Sequence, residues 1–160
     1  MNALTSTYQS ISKVTQPLWD KLLVGLEALK SPALLAARLY VGWVFFASGL
    51  LKIQSWDTTI ELFTSEFHVP ILTDLSPTLA AVMGTGGELI LPVLLVLGIF
   101  GRFAALGLFV MNIVAVVSLS EIAPAALQQH QFWGSLLAGL AIWGVGAWSV
   151  DSRFRGNKNA

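Results

Sequence analysis

The chain has 160 residues, of which 55% are hydrophobic and 11% charged, and its mean hydropathy is +0.72. Soluble domains carry about 25% charged residues, so the composition excludes an ordinary soluble enzyme and points to one integral membrane domain. Nine basic and nine acidic side chains cancel, so net charge implies no nucleic-acid partner, and the absence of cysteine excludes disulfides, thiolate metal sites and thiol redox chemistry carried by this chain.

Residues 1–32 lack the short apolar core and small-residue cleavage site of a signal peptide. Val14, Leu18, Leu22, Leu26 and Leu29 recur at helical spacing with Trp19 on their flank, which predicts an amphipathic helix lying in the membrane interface, bent at Pro17. The first span is expected from about Ala33 to Ile53, with Pro32 at a first helical position. Arg38 and Lys52 bracket its apolar middle. They are fourteen residues apart, about 21 Å along the axis and within about 40° of one face, so both can point toward one neighbour.

The connection from Gln54 to Ser76 holds only acidic charges, Asp57, Glu61, Glu66 and Asp74. Ile60, Phe63 and Phe67 fall on one side of a short helix opening near Asp57, which reads as a lid on one mouth of the bundle. His68-Val69-Pro70 is expected to be extended, because a residue before proline avoids the helical region.

The second span, Pro77 to Phe100, carries Glu88 near its middle and Pro92 four residues on. A carboxylate at that depth costs roughly 2.5–3.5 kcal/mol on insertion scales unless something pairs with it. The ring of Pro92 removes the bond that would use the Glu88 carbonyl. Gly84, Gly86 and Gly87 strip side chains from one stretch and allow close helix approach; they follow no strand, so they do not read as a phosphate loop. Gly98 and Gly101 make a tight turn with Arg102 at its tip. A third span, about Phe103 to Ile122, is apolar except for Asn112 and serines near its end. A fourth, about Phe132 to Val150, has Gly134, Gly139, Gly144 and Gly146 as small surfaces and Trp133, Trp143 and Trp148 as anchors.

Orientation follows from basic residues. Lys13, Lys21, Lys30 and Arg38 precede or open the first span, Arg102 sits in the second turn, and Arg153, Arg155 and Lys158 lie in a basic tail, residues 152–160. The positive-inside rule places both termini in the cytoplasm and the acidic loop outside, consistent with four spans. The expectation is an all-α, integral membrane, antiparallel four-helix bundle over residues 33–151, preceded by the interfacial helix and carrying a short outer-loop helix.

Glu88 lies fourteen residues before Arg102 and Asn112 ten after it, so both fall near the bilayer middle. With Arg38 arriving from the cytoplasmic side and Lys52 from the outer side, Arg38, Lys52, Glu88 and Asn112 are expected to converge between helices. Such a cluster either fixes helix register or handles a proton or ligand. His68 and His130 both fall in predicted outer loops, which excludes haem held by two histidines. Together with Glu66 or Glu121 they could hold a metal, but their spacing matches no metal signature and solvated histidines are the commoner case.

Arg38-Leu-Tyr-Val-Gly42, Gly49-Leu-Leu-Lys52, Glu88-Leu-Ile-Leu-Pro92, Leu97-Gly-Ile-Phe-Gly-Arg102-Phe-Ala-Ala105 and the closing Ser149-Val-Asp151 resemble the DoxX family of small four-span membrane proteins, over about Ala33 to Asp151. The Phe63–Pro70 loop resembles the branch often encoded beside enzymes that modify metal-binding, copper-related peptides. The resemblance implies a bacterial inner-membrane protein linked to redox or stress biology, through relatives associated with quinone-linked thiosulfate oxidation and oxidative-stress complexes. It carries over to Arg38, Lys52, Glu88, Arg102 and Asp151; Asn112 rests on depth alone.

Three functions follow as expectations. The favoured one is a subunit of a membrane redox or metal-stress complex, such as a quinone-linked oxidoreductase, with a quinone headgroup or proton using a pocket at Glu88. The second is a small transporter or export partner for a solute, metal complex or modified peptide, which with four short spans would need a homodimer to build a pathway. The third is a purely structural anchor that recruits soluble partners through its acidic outer loop or basic tail, and other membrane or periplasmic proteins are expected as partners.

Overall fold

The computed structural model describes residues 2–67, 74, 76–119 and 121–156, with side chains from Thr15 to Phe154. Six helices account for nearly all of them: α1 (Asn2–Gln54), α2 (Trp56–Ser65), α3 (Pro77–Leu97), α4 (Gly101–Val117), α5 (Pro124–Trp143) and α6 (Val150–Gly156). The protein is all-α. Among the described residues, two helical stretches are long and apolar enough to cross a membrane, Thr15–Gln54 and Pro77–Leu97, and Gly101–Val117 is apolar but shorter.

α1 is one helix of 53 residues that runs through both Pro17 and Pro32. Pro32 therefore does not take a first helical position, contrary to the sequence expectation. Each proline deletes one backbone donor, and residues 15–30 are exposed on all sides, so the freed carbonyls meet no packed neighbour and the helix continues. The side chains of Met1 to Val14 and the stretch His68-Val69-Pro70 lie outside the described residues.

α3 begins and ends by local rules. The Ser76 side chain accepts a hydrogen bond from Leu79 N at 3.3 Å, Pro77 takes the first helical position, and Gly98 closes the helix in the left-handed region at φ 68°. Gly98 N donates to Leu95 O and Ile99 N to Leu94 O, which satisfies two carbonyls that would otherwise end the helix unpaired. Pro92 lies inside α3 without ending it.

α5 spans Pro124–Trp143, shifted toward the N-terminus from the expected Phe132–Val150. Pro124 supplies the first helical position, and Gln128, Gln129 and His130, whose polarity suggested a loop, form its early turns. Gly144 and Gly146 fall beyond the helix with φ of 93° and 86°, so they shape a turn and not a helix surface.

α3 packs on α1 and α4, α4 packs on α5, and α5 returns to α1. Contacts step in opposite directions along α1 and α3: Arg38 meets Val96, Gly42 meets Pro92 and Val96, and Gly49 meets Glu88 and Leu89. The same stepping relates α3 to α4, with Gly87 on Met111 and Leu91 on Gly107. The core between these helices consists of Val41, Phe45, Leu95, Ala104, Ala105, Leu108, Leu137, Leu140 and Val145. α2 folds back on α3, where Phe63 packs on Ala80 and Ala81 with Trp56, Ile60 and Phe67 around it, as its apolar side requires. Trp43, Leu51, Ile90, Phe103, Leu106, Ile142 and Trp143 point outward. An apolar exterior of that extent is stable against lipid and not against water.

Candidate functional site

The centre is an ion pair between α1 and α3. Lys52 Nζ donates to Glu88 Oε1 at 2.7 Å and Oε2 at 2.6 Å, and to Ser48 Oγ at 2.9 Å. All three ammonium hydrogens therefore have acceptors. Glu88 is the twelfth of the 21 residues of α3, so the carboxylate sits at mid-length. The Lys52 and Glu88 side chains are 17% and 14% exposed, nearly but not wholly sealed.

Two glycines let the pair form. A Cβ at Gly49 would come within 3.1 Å of Glu88 Cβ and closer still to Leu89, and one at Gly42 would meet Val96 at 2.7 Å. Without side chains there, α1 lies close enough on α3 for a lysine to reach both carboxylate oxygens. Lys52 also occupies the last turn of α1, where a cation is favoured by the negative end of the helix dipole. The Thr59 hydroxyl donates to Lys52 O at 3.0 Å, which ties α2 to the same end of α1.

Arg38 is not part of this cluster. It is fully buried at the far end of α3, where Nη1 donates to Val96 O at 3.3 Å and Nη2 to Trp148 O at 2.6 Å. Among the described residues it has no carboxylate within ion-pair distance, and its Nε has no partner. Val96 is in the last turn of α3, so the guanidinium sits against the negative end of that helix. Gly98 makes the room, since a Cβ there would lie 2.7 Å from Arg38 Nη1.

Asp151 works on the other limb of the same turn. Its Oδ1 accepts from Phe100 N at 3.0 Å and its Oδ2 from Gly101 N at 2.8 Å, capping α4 where Phe100, at φ 49°, has no side-chain cap of its own. Asp151 N in turn donates to Gly98 O at 2.9 Å. Thus a cation closes the negative end of α3 and an anion closes the positive end of α4, both supplied by residues at least fifty positions away. Arg102 is exposed in the first turn of α4, its guanidinium lying over Gly144.

Asn112 faces α5, not Glu88. Its Nδ2 donates to His130 O at 2.9 Å and its Oδ1 lies 2.9 Å from His130 Nδ1. His130 is accordingly inside a helix and half-buried, where an outer loop was expected. His68 lies outside the described residues. Among the described residues no three His, Asp or Glu side chains gather in a way that could hold a metal ion.

Sequence reasoning passed over Ser48 and the pairing role of Gly42 and Gly49. The signals were present: Ser48 is four residues before Lys52, and the two glycines are seven apart, both on the face that carries Lys52.

The family model described as DoxX matches residues 33–121. An uncharacterized membrane protein of Mycobacterium tuberculosis is 30% identical over 162 residues, covering 90% of this chain and 93% of its own length. An uncharacterized protein of Haemophilus influenzae is 38% identical over 90 residues, covering 54% of this chain and 56% of its own. No solved structure matches.

Proposed function

The chain belongs to the DoxX family, and from that premise we propose that it is a four-span bacterial inner-membrane subunit of a redox or metal and oxidative-stress complex, in which the Lys52–Glu88 pair exchanges a proton with a small ligand such as a quinone headgroup. Helices α1, α3, α4 and α5 are the four spans, both termini are cytoplasmic, and α2 lies at the outer side. The redox role rests on family resemblance. The site rests on one observation: a carboxylate at mid-length of an apolar helix is held on a single ammonium and is still partly open.

The chemistry follows from bond strengths. Of the three acceptors on Lys52 Nζ, the Ser48 hydroxyl is neutral and therefore the weakest held. A ligand carbonyl arriving at the pair displaces Ser48 first and takes its hydrogen bond from the ammonium. As electrons from a redox partner in the complex reach the ligand and charge develops on that oxygen, Lys52 stabilises it; in the reverse direction the Glu88 carboxylate accepts the proton of the ligand hydroxyl at Oε1 or Oε2 while the partner takes the electrons.

The test is binding of a short-chain benzoquinone to the purified protein in lipid nanodiscs, together with quinone reduction by membranes containing its complex. Wild-type protein is expected to bind and Glu88→Gln, which keeps an amide oxygen beside Lys52, to lose both readouts when compared at equal amounts of folded protein. Wild-type protein that neither binds the quinone nor alters its reduction removes the redox reading.

A further inference from the structure

A second polar pair lies between α4 and α5, away from the ion pair, and the proposed function makes no use of it. Asn112 is 5% exposed, and its Nδ2 is committed to the His130 carbonyl. The amide is thereby oriented, and Oδ1 faces His130 Nδ1 at 2.9 Å. An amide oxygen only accepts, so Nδ1 carries the hydrogen; in the neutral ring Nε2 then bears the lone pair. No second hydrogen bond to the ring occurs among the described residues. The Trp133 and His130 rings pack in a T-shaped contact with centroids 5.0 Å apart, and Gly134 leaves room for the amide, since a Cβ there would lie 3.1 Å from Asn112 Nδ2.

The ring borders an open-sided cavity of about 420 Å³ between the two helices, with Asn112 beside it and Phe109, Ile113, Val117 and Leu127 among its walls. Small-molecule sites run from about 300 to 1,000 Å³ and combine apolar walls with a few fixed polar groups. Nε2 is not among the buried atoms left without a partner, so it is open to an occupant, and a pure hydrocarbon there would offer it no donor, at a cost of roughly 1–3 kcal/mol. We propose that this cavity binds a lipid-soluble molecule with an apolar body and a hydroxyl head, the hydroxyl donating to His130 Nε2. Asn112 is the positioning residue: it fixes the tautomer that presents an acceptor and not a donor. The proposal is independent of the Lys52–Glu88 pair, which lies on a different pair of helices.

The experiment uses the full chain in lipid nanodiscs and a photoreactive hexadecanol probe, with cross-linked peptides mapped by mass spectrometry. Labels are expected on α4 and α5 around Phe109–Val117 and Leu127–Ala138. Hexadecanol or a para-alkylphenol should compete, and their methyl ethers should not; the better competitor distinguishes an aliphatic from an aryl hydroxyl. His130→Leu should lower labelling about three- to tenfold, the worth of one neutral hydrogen bond. Ile113 lines the cavity and makes none of the Asn112–His130 bonds, so Ile113→Trp, which fills the cavity, should abolish labelling and keeps the test decisive if His130→Leu fails to fold. Equal competition by alcohols and ethers would show an ordinary lipid-filled groove and overturn the proposal. Labels scattered over the exterior, or a second copy of the chain cross-linked through α4 and α5, would overturn it as well.

Discussion

Lys52 has three oxygens around its ammonium, two of them from Glu88, and removing either side chain strands the other where water reaches only a small part of it. Loss of one partner of a buried pair costs roughly 3–5 kcal/mol, whereas replacing both by apolar groups of similar volume is often neutral. Lys52→Met and Glu88→Leu are therefore each expected to lower the thermal unfolding temperature in detergent, and the double variant to recover most of the loss. Asp151 is a residue of another kind. It makes two charge-assisted bonds to the start of α4, and Asp151→Ala is expected to cost about 1–2 kcal/mol in the same assay, the usual worth of a helix cap. Asp151→Asn should retain part of that, because an amide oxygen can still accept one of the two hydrogens.

Depth was legible in the sequence at this scale, and rotation was not. Gly87 packs on Met111, so these two residues stand at one level and face each other. Glu88 and Asn112 each come one position later, about 100° further around their helices, and so turn away from one another, to α1 and α5. Counting from Arg102 found the common level; nothing in the count showed which neighbour each side chain would meet. Arg38 fails for a different reason. It shares the α3 face with Lys52 as the spacing required, but fourteen residues of helix separate them by about 21 Å, so Arg38 reaches the end of α3 and not its middle.

Helix contacts in this protein depend on which glycines face a neighbour. A Cβ at Gly49 would collide with Leu89 and crowd Glu88, whereas one at Gly86 would meet nothing within 4 Å. Gly49→Leu is expected to destabilise by on the order of 2 kcal/mol, as overpacking does, and to weaken the ion pair by pushing α1 from α3. Gly86→Ala should be tolerated or stabilise by up to about 1 kcal/mol through helix propensity. Gly98→Ala meets two obstacles at once, a left-handed backbone and the Arg38 guanidinium in the space a Cβ would take. Unfolding temperatures of the three variants check the order. In the sequence Gly84, Gly86 and Gly87 read as one small-residue stretch, but successive residues point around the helix, and Gly84 meets Phe63, Gly87 meets Met111 and Gly86 meets neither. The short helix α2 was legible because Ile60, Phe63 and Phe67 form one apolar side. α5 was misplaced because Gln128, Gln129 and His130 look like a loop until Asn112 is seen to bond His130.

For the molecule as a whole, apolar groups face outward as well as inward, and charges gather at the ends and in one mid-length pair. Basic residues at the N-terminal part, at Arg102 and in the tail set the proposed orientation with α2 outside. The chain contains no cysteine, so single cysteines report topology without background. Ser65→Cys at the end of α2 is expected to react with an impermeant maleimide added to intact spheroplasts. Ala28→Cys in α1 should react only after lysis. The reverse pattern would invert the orientation and with it the side from which a ligand approaches Glu88.

In the proposed function the Lys52–Glu88 pair is a working site and not only a weld between α1 and α3. Binding of the short-chain benzoquinone by wild-type protein and by the double variant Lys52→Met, Glu88→Leu, both in nanodiscs and both shown to unfold at similar temperatures, tests it most directly. Loss of at least tenfold in affinity in a double variant of near-wild-type stability, about 1.4 kcal/mol of binding energy, is the predicted result. A stable double variant that binds the quinone as wild-type does would contradict it.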